Sequence, residues 1–142
     1  MTEKLLEVKN LSCSFEIEKN FFGKNIYLEV LKNINFSLNK GITLGIVGES
    51  GCGKSTLCRT ILSLNKREKG DIIWFDKDIN QFTKYDFKTF RKRVQVIFQD
   101  PYGSLNPRMT IGDIISEPLD IYRKDISKKN KTYKVLDVME KV

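Results

Sequence analysis

A glycine-rich run, GESGCGKST at residues 48–56, has residue types and spacing suited to binding phosphate. Glycine, four residues, glycine, lysine and serine follow one another, which is the pattern of a phosphate-binding loop, or P-loop. The glycines let successive backbone N–H groups turn inward, and a helix that begins near Gly53 adds the positive end of its dipole. These features predict a loop that holds a polyphosphate.

The polar side chains of the loop have distinct predicted roles. Lys54 reaches the β- and γ-phosphates as a point charge, Ser55 places its hydroxyl on Mg²⁺, and Thr56 lies at the α-phosphate. The rest of the predicted cradle consists of Gly48, Ser50, Gly51, Cys52 and Gly53. The alternative is a glycine-rich turn with an exposed lysine.

Alternating helices and strands must position this loop. Residues 42–47 are nearly all apolar, as in a strand buried on both faces, and residues 54–64 have apolar residues at helical spacing, with Gly70 shortly past their end. Further strands are predicted at residues 71–75 and 94–98. The order is that of an α/β fold.

Two β-like runs precede the loop, at residues 5–15 and 27–38, and predict an early sheet. The polar residues between them predict a long hairpin loop that carries the aromatic pair Phe21-Phe22. A short helix is predicted at residues 84–91, with Phe87 and Phe90 facing inward.

The last third of the chain is predicted to be turn-rich after Asp100 and then helical. Residues 111–121 have helical spacing that Pro118 breaks. Residues 127–142 predict a second helix, whose apolar face consists of Tyr133, Leu136, Met139 and Val142.

The composition limits the chemistry. Histidine is absent, so the commonest proton shuttle and metal ligand at neutral pH is missing. The three cysteines, Cys13, Cys52 and Cys58, fit neither a disulfide framework nor a zinc site, and we expect reduced thiols.

The net charge of +7 includes two basic clusters, at residues 84–93 and 123–134. Either could hold nucleic acid or a lipid headgroup, but neither has the interleaved aromatic platforms that single-stranded nucleic acid binding uses. We interpret them as solvated helix faces and expect no nucleic acid partner. No apolar stretch is long enough to span a membrane, and residues 1–7 are charged where a secretory signal is apolar, which indicates a cytosolic location.

Residues 94–119, VQVIFQDPYGSLNPRMTIGDIISEPL, closely resemble the Q-loop segment of ABC transporter ATPases. Within these they are most similar to the ATP-binding subunits of oligopeptide and dipeptide importers. The loop at residues 48–56 and the insertion around Phe21-Phe22-Gly23 resemble the same group. The similarity covers nearly the whole chain.

This resemblance implies ATP and Mg²⁺ as cofactors, with Lys54 and Gln99 as the catalytic residues. Gln99 would contact Mg²⁺ or the attacking water and report the nucleotide state to the membrane subunits, and a neutral amide can orient water without titrating. Phe15, four residues after Leu11, lies where the family usually has an aromatic residue that stacks on adenine. Tyr27 is its rival, and plain core packing of Phe15 also stays open.

Residues 72–76, IIWFD, have the shape of a second nucleotide motif, the Walker B strand. We reject that interpretation because Lys77 follows where a catalytic glutamate is expected, and because the family has an edge hairpin at this place. Asp76 is predicted to be a turn residue.

The resemblance implies the α/β fold of a P-loop NTPase similar to ABC ATPases, with an N-terminal antiparallel β subdomain. We assign residues 1–99 to the N-terminal part of the ATP-binding core and residues 100–142 to the start of the helical subdomain. The family's signature motif, its Walker B carboxylates and its switch histidine do not occur in the 142 residues. The sequence therefore predicts a truncated chain.

By the resemblance, the expected function is that of the ATP-binding subunit of an importer of peptides or a related solute, peripheral to the cytoplasmic face of the membrane. The implied partners are permease subunits and a second ABC ATPase subunit. The chain alone is expected to hydrolyse ATP negligibly, because it lacks the general base and the second phosphate clamp. The alternative function is that of a non-hydrolytic nucleotide-binding remnant.

Overall fold

A computed structural model describes residues 3–19, 23–100 and 102–142 of the chain. The chain divides into two compact units, Met1–Tyr85 and Asp86–Val142, and each is described by itself. The predicted aromatic pair Phe21-Phe22 and Pro101 of the Q-loop segment lie outside the described residues.

The first unit is built on an antiparallel sheet. Its strands are β1 (Lys4–Lys19), β2 (Asn25–Asn39), β3 (Lys69–Trp74) and β4 (Lys77–Asp78), in the spatial order β2-β1-β3-β4. The two strands predicted before the loop are thus confirmed, and both are longer than predicted. The strand predicted at residues 71–75 is confirmed as β3.

The core of the first unit lies on one face of this sheet. The buried side chains of β1 are Leu6, Val8, Leu11 and Cys13. Their alternation changes phase after Val8 because the β1–β2 pairing has an irregularity there, where Asn10 has a φ of 50°. Ile72 of β3 joins the same core.

Helix α1 (Lys54–Ile61) begins directly after the glycine loop and buries Leu57 and Thr60. Gly70 was predicted to follow the end of this helix, but it lies inside β3. Its φ is +93°, and an added Cβ would lie 2.5 Å from the carbonyl oxygens of Lys9 and Asn10. Glycine at position 70 therefore allows β3 to approach β1 closely.

The strands predicted at residues 42–47 and 94–98 are not found. In the described part of the chain neither segment pairs with a sheet, and Val47 and Ile97 are 92% and 96% exposed. A strand of a parallel sheet needs hydrogen bonds from neighbouring strands, and the described residues supply none to these segments.

Asp76 is a turn residue, as predicted. Phe75 and Asp76 both have positive φ, at 51° and 63°, and join β3 to β4 as a two-residue hairpin turn. Since β3 pairs antiparallel with β1, the geometry of a parallel Walker B strand does not apply to it.

The second unit consists of helices, namely most of α2 (Lys84–Arg93), then α3 (Ile111–Tyr122) and α4 (Lys128–Met139). Phe90 is buried, as predicted. The prediction that Pro118 breaks the helix is wrong, because α3 continues through it. A proline inside a helix removes one main-chain hydrogen bond, and α3 is stabilised at its N-terminus by a capping box that includes Thr110.

The helix predicted at residues 127–142 is confirmed as α4, and the apolar residues predicted on one face of it are largely open to solvent. Tyr133, Leu136 and Met139 are exposed, whereas the neighbouring Val135 is buried. An ion pair of 2.8 Å between Lys131 and Asp120 joins α4 to α3 on another face of the helix. In the described ranges, no helix has both the length and the apolar character needed to cross a membrane.

Candidate functional site

Lys54 lies at the centre of the glycine loop. Its Nζ donates hydrogen bonds to the carbonyl oxygens of Gly48 (2.8 Å) and Glu49 (2.6 Å). The Sγ of Cys52 lies 3.6 Å from the same nitrogen. The loop thus curls around the ammonium group of Lys54, the residue that the sequence pattern predicts to contact phosphate.

Two glycines give the loop its shape. Gly51 and Gly53 have φ values of 82° and 96°, which residues other than glycine rarely adopt. An added Cβ on Gly53 would lie 3.1 Å from the carbonyl oxygen of Val30 and 3.2 Å from Cδ2 of Leu31. Strand β2 therefore packs directly against the last turn of the loop.

The N-terminus of α1 offers free hydrogen-bond donors. The backbone N–H of Leu57 donates to the carbonyl of Gly53 at 2.8 Å, but no side chain caps the helix and its first turn has no acidic residue. The N–H groups of residues 54–56 meet no acceptor within the described parts of the chain. Together with the helix dipole and Lys54, they favour an anion at this end.

The other predicted cradle residues lie in the same loop and helix turn. Ser50, Cys52 and Ser55 are exposed, and Thr56 is half-buried. The described residues contain no cluster of three or more histidine, cysteine or carboxylate side chains that could hold a metal ion. A hydroxyl such as that of Ser55 is a suitable ligand for Mg²⁺ that arrives with a nucleotide.

Phe15 and Tyr27 point to opposite faces of the β1–β2 ribbon. Phe15 pairs with Leu28 and Glu16 pairs with Tyr27, so the two aromatic side chains alternate across the sheet. Phe15 is 40% exposed. The ring of Tyr27 borders a cavity of about 390 Å³ on the other face.

Gln99 lies in the second unit and is exposed. The adjacent Asp100 organises the turn that follows, because its carboxylate accepts the N–H of Gly103 at 3.0 Å and its carbonyl accepts the hydroxyl of Ser104 at 2.6 Å. The role of Gln99 toward Mg²⁺ or water stays a prediction.

The clear electrostatic shifts in the described residues occur away from the loop. A hydrogen bond from Thr110 lowers the pKa of Asp113, and the guanidinium of Arg123 lowers the pKa of Asp125. Hydrogen bonds from Lys4 and Lys9 lower the pKa of Glu7. These carboxylates stabilise local structure and do not belong to the loop.

Two contacts of α1 were not anticipated from the sequence, namely that of β2 with Gly53 and a hydrogen bond from Trp74 to the end of the helix. The apolar pattern of residues 27–38 indicates a strand, but a pattern does not reveal which distant residue a strand contacts. The tryptophan within residues 72–76 was a usable signal for the second contact, because a buried indole N–H needs a hydrogen-bond acceptor.

A glycine loop that surrounds a lysine at the open N-terminus of a helix, beside an antiparallel sheet, defines a P-loop protein. The model of the family described as ABC transporter matches residues 31–142. The chain belongs to the ABC transporter family.

Proteins with similar sequences are named as peptide transport ATP-binding proteins. The chain is 48% identical over 143 aligned positions to the oligopeptide transport ATP-binding protein OppF of Haemophilus influenzae, across 99% of this chain and 43% of that protein. It is 40% identical to OppF of Bacillus subtilis and 35% identical to the dipeptide transport ATP-binding protein DppF of Escherichia coli. These matches cover the whole of this chain but only 45% and 42% of those proteins. The chain thus spans less than half the length of these relatives.

Solved structures support the same fold. The ATP-binding cassette MJ0796, in a post-hydrolysis dimer bound to ADP and Pi, matches with a TM-score of 0.76 and 24% identity, over 96% of this chain and 56% of that one. The structure of cbiO1 from Clostridium perfringens matches with a TM-score of 0.68 and 22% identity, over 97% of this chain and 50% of that one. At these identities the likeness concerns the fold alone. The predicted ABC ATPase-like fold with an antiparallel β subdomain is confirmed.

Proposed function

We propose that this chain binds ATP with Mg²⁺ through residues 48–56 and serves as the ATP-binding part of an ABC importer subunit. The observation that carries the proposal is the position of Lys54, whose ammonium group the loop carbonyls of Gly48 and Glu49 hold beside the open N-terminus of α1. Backbone donors and a cation converge there, which is the chemistry that binds a polyphosphate.

Each part of the loop has a defined task in this proposal. Lys54 exchanges its two carbonyl acceptors for phosphate oxygens, and the N–H groups of residues 54–56 donate to the same anion. The hydroxyl of Ser55 would hold Mg²⁺, which would supply positive charge to neutralise the phosphates. Phe15 stacks on adenine, and Tyr27, on the opposite face of the ribbon, is the alternative.

The proposed physiological role is uptake of oligopeptides, dipeptides or a related solute. The names of the relatives support it, since they are oligopeptide and dipeptide transport ATP-binding proteins. In this role the protein is peripheral to the cytoplasmic face of the membrane and pairs with a second ABC ATPase subunit. Permease subunits contact the region after Asp100, and Gln99 reports the nucleotide state to them.

We further propose that this chain alone hydrolyses ATP negligibly and acts as a nucleotide-binding module. Within the described parts of the chain, the partners of the Lys54 ammonium group are two carbonyls and a thiol, with no carboxylate among them. Phosphoryl transfer to water depends on a residue that orients the nucleophile and on charges that stabilise the transition state. The loop supplies only the phosphate clamp.

Calorimetric titration with Mg-ATP tests the binding proposal. We expect Lys54→Ala to weaken binding at least tenfold, because a charge-assisted contact to phosphate is lost. Lys69→Ala is the matched control, since the side chain of Lys69 is 76% exposed and its ammonium group lies 4.0 Å from Glu68. Equal affinities of the wild type and the Lys54 variant would refute the proposal.

Turnover of the same purified chain tests the second part of the proposal. We expect stoichiometric Mg-ATP binding and a rate of phosphate release no higher than that of Lys54→Ala. Release that depends on Lys54 and proceeds over many turnovers would contradict the assignment as a binding module.

A further inference from the structure

We propose that Trp74 is a positioning residue for the nucleotide loop. It lies outside the loop, at the end of β3, and is 7% exposed. Its indole N–H donates to the carbonyl of Ile61, the last residue of α1, at 2.8 Å. The inference rests on the proposed ATP binding at the other end of this helix.

The contact of Trp74 completes the hydrogen bonding at the C-terminus of α1. The carbonyls of the three residues before Ile61 accept N–H groups from the turn that follows. These bonds run from Leu62 to Cys58 (3.3 Å), from Leu64 to Arg59 (2.9 Å) and from Ser63 to Thr60 (3.0 Å). The carbonyl of Ile61 instead accepts a hydrogen bond from the indole N–H of Trp74 in the sheet. The helix is therefore closed at this end by Trp74, while its free donors lie at the nucleotide end.

The indole is fixed to the sheet rather than to a loop. Trp74 pairs with Leu6 of β1, which is itself 2% exposed. A buried indole in a strand has few alternative rotamers, so its N–H defines one position for the helix end. Loss of that N–H leaves the Ile61 carbonyl without its side-chain partner.

The same sheet also holds the other end of α1. Gly53 lies so close to β2 that an added Cβ would meet Val30 and Leu31 at 3.1 to 3.2 Å, and Leu31 is buried. The eight residues of α1 span about 12 Å between the two contacts. Contacts at both ends leave the helix little freedom to tilt or slide.

A helix fixed in this way presents its N–H groups without further ordering when ATP binds. A helix with a loose C-terminus must lose that freedom during binding, and the affinity falls. We expect Trp74→Phe, which keeps most of the ring and removes the N–H, to weaken Mg-ATP binding about threefold to tenfold. Neither the tryptophan nor the phenylalanine at position 74 touches the phosphates. The expected effect on ATP binding therefore acts through α1.

Trp74→Phe, a control variant and an isostere of tryptophan distinguish a positioning effect on α1 from a general loss of stability. Ile79→Ala removes a buried side chain beside β3 and leaves the bond to Ile61 intact, so it is the matched destabilising control. Because Trp74 is the single tryptophan, biosynthetic incorporation of benzothienylalanine replaces its N–H by sulfur at nearly constant shape. The readouts are the dissociation constant for Mg-ATP, the thermal midpoint, and amide hydrogen exchange of residues 57–61 without nucleotide.

The expected result is faster exchange in α1 and weaker ATP binding for Trp74→Phe and for the isostere. The Ile79 variant is expected to have a lower thermal midpoint with unchanged ATP affinity. Unchanged exchange and unchanged affinity in both Trp74 variants would overturn the inference. If the wild-type chain itself binds no ATP, the proposed function fails, and the exchange rates without nucleotide still decide whether Trp74 fixes α1.

Discussion

At the scale of single residues, Gly53 combines two requirements that only a glycine can meet together. It has a φ of 96°, and β2 lies where a side chain would extend. Its carbonyl also accepts the N–H of Leu57 and so begins α1. The position of α1 therefore depends on the absence of a side chain at one residue.

We expect Gly53→Ala to destabilise the first unit by about 1 to 2 kcal/mol, because an alanine is strained at this φ. The forced shift of Val30 adds to this loss and should also weaken Mg-ATP binding. Gly45→Ala is the matched control, because the added Cβ meets nothing within 4 Å and φ is not positive there. Denaturant unfolding of both variants checks the prediction, and equal effects at the two positions would contradict it.

Cys52 provides a chemical probe of the same loop. Its thiol is exposed and its Sγ lies 3.6 Å from Nζ of Lys54. If phosphates occupy the loop, Mg-ATP should slow alkylation of Cys52, whereas adenosine without phosphate should not. Cys58 is also exposed and lies further along α1, so its alkylation rate serves as the internal control. Equal protection of both thiols would argue against specific binding in the loop.

At the scale of elements, α3 is ordered by a capping box. Thr110 Oγ1 donates to the Asp113 carboxylate at 2.6 Å and accepts the N–H of Asp113 at 3.2 Å. The hydrogen bond from Thr110 lowers the pKa of Asp113. Because the folded pKa lies below the unfolded one, this contribution to stability is present at neutral pH and is lost as the pH falls through the folded pKa.

We therefore expect α3 to lose stability as the pH is lowered below about 4, the ordinary range of an aspartate. Asp113→Asn should be less stable at neutral pH and should respond less to acid, whereas Thr110→Ala should cost about 1 kcal/mol at neutral pH through the lost cap. Circular dichroism and amide exchange from about pH 2.5 to about pH 7 check the sign of this change in stability. A wild-type stability that rises on acidification while Asp113→Asn stays constant would be inconsistent with this account.

Elements were predictable from sequence where local chemistry defines them. The glycine spacing at residues 48–56, the alternation in β1 and the turn at Asp76 all depend on neighbouring residues, and the structure contains each of them. The effect of Pro118 on α3 was not predictable from the local sequence. Whether a helix continues through a proline depends on how strongly the rest of the helix is stabilised. The contact of Trp74 with Ile61 joins residues far apart in the chain, which no periodicity encodes.

At the scale of the whole molecule, two uncharged apolar segments have no partner strand among the described residues. Residues 42–47 and 94–98 have the composition of buried strands, but in the described ranges they are exposed. Their burial was not predictable from composition, because a parallel strand is buried only when other strands flank it. Such unpaired segments favour association between chains.

We expect this chain to self-associate with increasing concentration through these segments. Ile97→Lys should reduce association without a loss of folding stability, because Ile97 is 96% exposed. Ile111→Lys is the control, since Ile111 is also exposed but lies on a helix and not in an unpaired extended segment. Sedimentation velocity over a range of concentrations checks this expectation, and the same association for all three proteins would exclude the segment at 94–98 as its cause.

A ¹⁵N-resolved NMR titration tests whether the main-chain N–H groups around Lys54 hold a polyphosphate. We expect Mg-ATP to shift the amide resonances of residues 48–56 in a saturable way. Lys54→Ala should reduce these shifts, and adenosine should leave the resonances unchanged. Resonances of residues 48–56 that stay in place at saturating Mg-ATP, in a chain whose spectrum is that of a folded protein, would contradict this expectation.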